Sequence, residues 1–222
     1  MHLELAGAIM KEDALNQVGN TPFSSIVLAS LFPKTKQISD KARYLEQEGR
    51  IIRLKRGLYV RSAEDGAMPL PLLIANHLYG PSYVSFQTAL RHYGLIPERV
   101  YETQSMTIKH SRSFDTPLGH FSYRSCGVNY FPIGIRQERE DEDTYLIASP
   151  EKALCDILLK TAGLSITSTK KMESFLESDL RFDMEALNTF DTRLLEQCRQ
   201  AAQVKTETVT HLINLINNAS PF

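Results

Sequence analysis

The fold reading turns on Thr35-Lys36-Gln37-Ile38-Ser39-Asp40-Lys41-Ala42-Arg43-Tyr44-Leu45-Glu46-Gln47-Glu48-Gly49, followed by Arg50-Ile51-Ile52-Arg53-Leu54-Lys55-Arg56-Gly57-Leu58-Tyr59-Val60. Ile38, Ala42 and Leu45 recur at i, i+4 and i+7, so a helix over about Thr35 to Glu48 buries one stripe. At about 100° per residue, Lys36, Gln37, Asp40, Arg43, Tyr44 and Gln47 face away from that stripe. Gly49 suits the helix end. Ile51 to Leu54 and Leu58 to Val60 read as short strands around a basic tip, Lys55-Arg56-Gly57. Upstream, Phe23 to Phe32 reads as a shorter helix. Ser24 or Ser25 caps it, Ile26, Val27, Leu28 and Leu31 supply apolar contacts, and Pro33 stops it.

Charge singles out the same segment. Between Lys34 and Arg61 lie nine basic residues and three acidic ones, Asp40, Glu46 and Glu48, a net +6; the whole chain is −1, so the remainder carries −7. The outward helix face combines cations, amides and an aromatic ring, groups that donate to phosphates and to base edges in a major groove. A winged helix-turn-helix sets its second helix in the groove while the wing touches the backbone. Lys36, Gln37, Arg43, Tyr44 and Gln47 are therefore expected to read the groove, and Lys34, Lys41, Arg53, Lys55 and Arg56 to contact phosphates. A structural helical pair with a solvated hairpin also satisfies the pattern.

The chain has 222 residues, 42% hydrophobic and 23% charged, enough for one large domain or two smaller ones. That composition excludes collagen-like, coiled-coil and disordered classes. Cys126, Cys155 and Cys198 are few, odd in number and far apart, so they read as buried thiols of a reducing cytosol rather than a disulfide framework or zinc site. The start Met1-His2-Leu3-Glu4 lacks the basic and apolar runs of a secretory signal, and a cytoplasmic location is expected. Gly66 to Leu90 carries no formal charge, but its prolines and polar side chains make it two core-facing helices rather than a membrane span.

Beyond the prolines Pro69 and Pro71, Leu70 to Leu78 reads as a short apolar helix ended by Gly80-Pro81. Ser85 is placed to cap Phe86 to Tyr93, and Gly94 to end it. Gln104 to Lys109 and Phe121 to Arg124 read as the arms of a hairpin with a long connection. Tyr130 to Arg136 and Thr144 to Ala148 read as strands separated by a charged turn, Gln137 to Asp143. Ser149-Pro150-Glu151 opens a helix whose buried face is Ala153, Leu154, Ile157 and Leu158. The tail from Thr167 to Asn218 reads as helical, with Leu194, Cys198 and Ala201, then Val209, Leu212, Ile213 and Ile216, at helical intervals; core and partner surface both fit it.

Three passages together resemble the AbiEi-type antitoxins of bacterial type IV toxin–antitoxin pairs. They are the basic hairpin Arg50 to Val60, the stretch Ser82-Tyr83-Val84-Ser85-Phe86-Gln87-Thr88-Ala89-Leu90-Arg91-His92-Tyr93-Gly94-Leu95-Ile96, and Ile147-Ala148-Ser149-Pro150-Glu151-Lys152-Ala153-Leu154-Cys155-Asp156. The resemblance covers most of residues 20 to 160; the tail after Thr161 matches no motif of that family. It implies an N-terminal winged helix that represses its own operon and a C-terminal domain that counters a nucleotidyltransferase-like toxin.

Signs of catalysis are sparse. The six histidines show no HExxH or HxH spacing, and no GxSxG, GxxxxGKS/T or GxGxxG pattern occurs. His110 and His120 can meet across the expected hairpin, Asp141-Glu142-Asp143 can approach a hard cation, and Arg91-His92-Tyr93 can form a polar pocket. A coincidental surface pair and a solvated acidic loop explain the first two better, capped-helix surface residues explain the third as well, and no catalytic residue, cofactor or metal ligand is assigned. The expectation is an α+β protein: a winged helix-turn-helix over residues 1–65, then a mixed α/β domain over residues 66–222 with antiparallel strands and a helical tail. Its expected partners are double-stranded operator DNA and a nucleotidyltransferase-like toxin, with no membrane. The alternatives are a winged-helix regulator without a toxin partner and a metal-dependent nucleic-acid enzyme.

Overall fold

The structure is a computed structural model that describes residues 14–67, 69–97, 101–202 and 204–219. The expectation about the first four residues lies outside these. Over the described residues the protein is a mixed α+β molecule with two sheets and two hydrophobic cores.

Among the described residues the smaller unit opens with helical residues 14–16. They are followed by β1 (Phe23–Ser24), α1 (Ser25–Leu31), α2 (Ile38–Gln47), β2 (Ile51–Lys55) and β3 (Leu58–Arg61). The Ser24 hydroxyl accepts from the Val27 N–H and starts α1; Phe32 ends it just before Pro33, which cannot continue a helix. Ala42 and Leu45 of the expected stripe are buried and Ile38 packs beside them. Gly49 takes the left-handed conformation, φ +68°, that turns the chain into β2. The three strands pair antiparallel in the order β1-β3-β2. Strand β1 was not expected: two residues are too few to show a period, and pairing of Phe23 with Tyr59 makes it a strand.

The hairpin serves both cores. Ile51 and Tyr59 join Leu15, Phe23, Leu28, Ala42 and Leu45 in the smaller core, while Leu54 and Val60 belong to the larger one. Alternation along each strand sends successive side chains to opposite faces, so a hairpin with strands of five and four residues can bridge two units.

The larger unit comprises α3 (Pro71–Leu78), β4 (Ser82–Val84), α4 (Phe86–His92), β5 (Glu102–Thr107), β6 (Arg112–Thr116), β7 (Gly119–Ser125), β8 (Ile135–Glu140) and β9 (Asp143–Ala148). Then follow α5 (Pro150–Lys160), α6 (Thr169–Ser174), α7 (Thr192–Ala201) and α8 (Thr206–Ala219). The six strands run in the order β6-β7-β5-β4-β9-β8, with β5–β7 and β4–β9 parallel and the other pairs antiparallel. Helix α5 is buried from Glu151 to Leu159 and packs against α4, α7 and α8. The tail is therefore core. Between α6 and α7, however, it holds a π-helical turn, Phe175–Asp179, and a 3-10 segment, Met184–Thr189, in place of continuous α-helix.

Four expectations are corrected. The segment read as two helices contains β4 between them, held by β5 on one side and β9 on the other. Strands β5 and β7 are not hairpin arms: they are parallel, and β6, inside the supposed connection, is the hairpin partner of β7. The strand expected from Tyr130 begins only at Ile135, and Gln137 to Glu140 belong to edge strand β8, leaving the turn at Asp141-Glu142. Leu195, not Leu194, is the fully buried leucine of α7. No helix among the described residues is long and apolar enough to cross a membrane.

Candidate nucleic-acid interface

Helix α2 presents the face its periodicity implies. Lys36, Gln37, Asp40, Arg43, Tyr44 and Gln47 are all exposed, and the Tyr44 ring stands 52% open to solvent. Gln37 occupies the N-cap position yet makes no capping bond, so its amide is available to a ligand at the helix end. Arg43 lies 3.7 Å from Asp40, with both side chains more than 60% exposed, a pairing worth little against a phosphate. Lys34 is exposed on the turn before α2. Lys41 lies partly buried between the helices, its ammonium 4.6 Å from the Phe32 ring centre and 4.9 Å from that of Tyr44. The cleft lined by Leu31, Phe32, Pro33, Lys34, Thr35 and Lys41 opens beside it.

The hairpin behaves differently from its sequence. Arg53 forms a bidentate pair with Glu46, at 2.8 and 2.6 Å, and lies 5.6 Å from the Tyr59 ring centre. Arg50 and Arg61 converge on Asp65 at 2.9 and 2.8 Å. Lys55 points back into the molecule, donating to the Leu78 carbonyl at the end of α3, 5.6 Å from the Phe114 ring centre. Burial, then the charges of Lys109 and Arg112, lower its pKa. Arg53 and Lys55 thus have protein partners where phosphate contact was expected. Arg56 is exposed at the tip and has no acceptor among the described residues. Gly57, at φ +75°, lets the tip carbonyl accept from the Ser25 N–H, which docks the hairpin on α1. Ile26 and Val27, expected to supply apolar contacts, do not: Ile26 is 82% open and Val27 exposed, only Leu28 of α1 is buried with Leu31 packed beside it, and the exposed pair extends this surface along α1.

The other candidate groups separate. His120 bonds Asp115 through Nδ1 at 2.6 Å, with Glu102 at 3.5 Å from Nε2. His110 lies beyond the far end of the β6–β7 ladder, in which Asp115 is paired with His120, and its carbonyl accepts from Tyr79. His92 and Tyr93 both bond Glu138 of the edge strand, at 2.7 and 2.6 Å, while Arg91 turns to the Pro97 carbonyl. Asp143 accepts from Asn20 at 3.1 Å. No group of three or more His, Cys, Asp or Glu among the described residues is arranged to hold a metal ion.

A buried polar cluster escaped sequence reading. Asp156, fully buried on α5, accepts from Ser85 at 2.6 Å and Tyr83 at 3.1 Å through one oxygen and from Tyr130 at 2.6 Å through the other. Lys152, also fully buried, donates to the Tyr130 carbonyl at 3.0 Å and lies 3.6 Å from Asp156. Ser85, expected as a helix cap, spends its hydroxyl here instead, and α4 begins without a side-chain cap. Burial and the Asp156 charge drive the Tyr83 and Tyr130 hydroxyls well above their ordinary pKa. Hence the passages Ser82 to Ile96 and Ile147 to Asp156 meet in space, through β4 beside β9 and through Asp156. The three cysteines are free and buried, as expected. Comparison with protein-family models and with curated proteins returns no match to this chain.

Proposed function

We propose that the protein is a winged-helix DNA-binding repressor of its own promoter and the antitoxin of a type IV toxin–antitoxin pair. The observation that carries the DNA-binding part is the exposed face of α2, where Arg43, Tyr44 and Gln47 lie on a helix buried only along Ala42 and Leu45, with Lys36 and Gln37 exposed just before its first turn. Helical residues 14–16, β1, α1, α2 and the β2–β3 hairpin, with sheet order β1-β3-β2, follow one another in the order of the parts of a winged helix. In this reading α2 enters the major groove, Gln37 and Gln47 address base edges, and Lys34, Lys36 and Arg56 contact phosphates. Lys41, beside the Tyr44 ring of its own helix, acts by holding α2 against Phe32.

The antitoxin part rests on the resemblance of the three passages. Its support is that two of them, distant in sequence, build one buried cluster around Asp156. The decisive experiment is a salt titration of binding to the DNA upstream of the reading frame, with scrambled DNA as competitor. Specific, salt-sensitive binding is expected; equal affinity for scrambled DNA would remove the repressor reading. Co-expression with an adjacent nucleotidyltransferase-like toxin is expected to relieve growth arrest, and persistence of the arrest would remove the antitoxin reading.

A further inference from the structure

We propose that the larger unit carries a DNA contact of its own: Arg112 and Lys109, beside the β2–β3 hairpin at the end of α3, bind the phosphate backbone of the duplex that α2 reads. This rests on the DNA reading of α2 and extends that interface across both units. The two cations gather around a pair of aromatic rings. Arg112 lies 5.0 Å from the Phe114 ring centre, and the Lys109 ammonium lies 5.2 Å from that of Tyr79; the rings themselves are 5.6 Å apart. Lys109 also donates to the Gly80 carbonyl, just beyond the last turn of α3, where partial negative charge attracts a cation. The hairpin is tied to the same place, because Lys55, next to Arg56 of the tip, donates to the Leu78 carbonyl and lies 5.6 Å from the Phe114 ring centre. After burial, the charges of Lys109 and Arg112 are what lower the Lys55 pKa, so three cations share this corner.

Alternation leaves that corner without a counter-charge. Arg112 and Phe114 share a face of the β6–β7 ladder with Tyr123 and Phe121, and Tyr123 donates to the Ala75 carbonyl of α3. Ser113 and Asp115 point to the opposite face, where Asp115 holds His120. The ladder therefore supplies no carboxylate on the α3 side. Arg112 and Lys109 are exposed, and neither has a carboxylate partner among the described residues. The Arg112 guanidinium has all its N–H groups unspent on protein, and Lys109 has two of three. Like charges held together repel, and a polyanion relieves that repulsion. Continuity names the polyanion: strand β2 lies beside β6, so the surface runs on from Arg56, already assigned to phosphate, through Lys55. Exposed cations spaced over an open surface suit successive backbone phosphates, which position a duplex without reading its sequence.

Salt titration of the full chain, with the DNA upstream of the reading frame and with scrambled DNA, tests the contact. Lys109→Ala/Arg112→Ala should reduce the salt slope by about two on both duplexes, about 0.9 for each phosphate lost, and leave the ratio of operator to scrambled affinity unchanged. Arg112→Ala alone should remove about one unit, and Arg112→Lys should restore it. Thermal melting checks folding; Arg112→Ala breaks no hydrogen bond and serves where Lys109→Ala unfolds. Lys170→Ala/Lys171→Ala, which removes two exposed charges from α6, should leave the slope as it is. An unchanged slope in Arg112→Ala, or an equal fall in the α6 variant, would overturn the proposal while leaving the α2 reading in place. Equal affinity of the parent for operator and scrambled DNA, with a smaller slope in Arg112→Ala, would remove the repressor reading and keep this contact.

Discussion

Lys152 and Asp156 lie one helical turn apart with no solvent contact, and both are hydrogen-bonded to neighbours. A buried pair adds little net stability, yet removing one partner strands the other charge. Lys152→Met should therefore cost about 3–5 kcal/mol in urea unfolding, and the double variant Lys152→Met/Asp156→Leu should cost less than the two single changes added together. Strict additivity would mean that the two charges do not depend on each other. Gly134 is a second sensitive position: at φ +65° an added Cβ would lie 2.9 Å from the Lys152 Cβ and 3.1 Å from Leu194. Gly134→Ala should lower the melting temperature, through backbone strain of about 1–3 kcal/mol together with the clash. Glu138 offers a pH test. Burial alone would raise its carboxyl pKa, but hydrogen bonds from Tyr93 and His92 and the Arg136 charge prevail and hold it below the usual carboxylate value. A depressed carboxyl stabilises the fold above its unfolded pKa and loses that contribution as pH falls through the folded value. Glu138→Gln should thus be less stable than the parent at pH 7, with the gap in urea midpoint closing below about pH 4.5.

At the scale of elements, α2 and the hairpin divide the work of the proposed interface. Arg56→Ala should weaken binding to all DNA sequences and reduce the salt slope by about one phosphate contact. Gln47→Ala should instead lower the ratio of operator to scrambled affinity. Lys55→Ala separates the two readings of the hairpin. Because its ammonium is spent on the α3 terminus, the variant should lose thermal stability while the salt slope stays unchanged. A smaller slope in Lys55→Ala would restore it to the phosphate contacts. The elements that sequence predicted well, α2, β2, β3 and the start of α5, have local signatures: a stripe, a turn glycine, or a Ser149-Pro150 cap whose hydroxyl accepts from the Lys152 N–H. Those it missed lack one. Strand β4 has three residues, and β8 exposes charges along an edge, so neither shows a period.

For the whole molecule, the shared hairpin makes the two units depend on each other. A fragment ending at residue 66 would expose Leu54 and Val60, which the full chain buries. Such a fragment should bind a hydrophobic dye and melt well below the full protein, whereas the full chain should unfold in one transition seen alike by far-ultraviolet dichroism and by loss of DNA binding. Two separated transitions would show independent units. By itself the sequence determined the local pieces: the amphipathic α2, its polar face, the basic hairpin and the α5 cap, because periodicity and capping act within a turn or two of chain. Only the tertiary structure decided that β5 and β7 run parallel, that Arg53 and Lys55 turn to protein partners, and that Lys152 and Asp156 lie in the core. Strand pairing and charge burial are set by residues far along the chain, such as Leu78 for Lys55 and Tyr83 for Asp156. A lysine on a buried helix and a lysine on a surface helix read alike until the opposing element is in place.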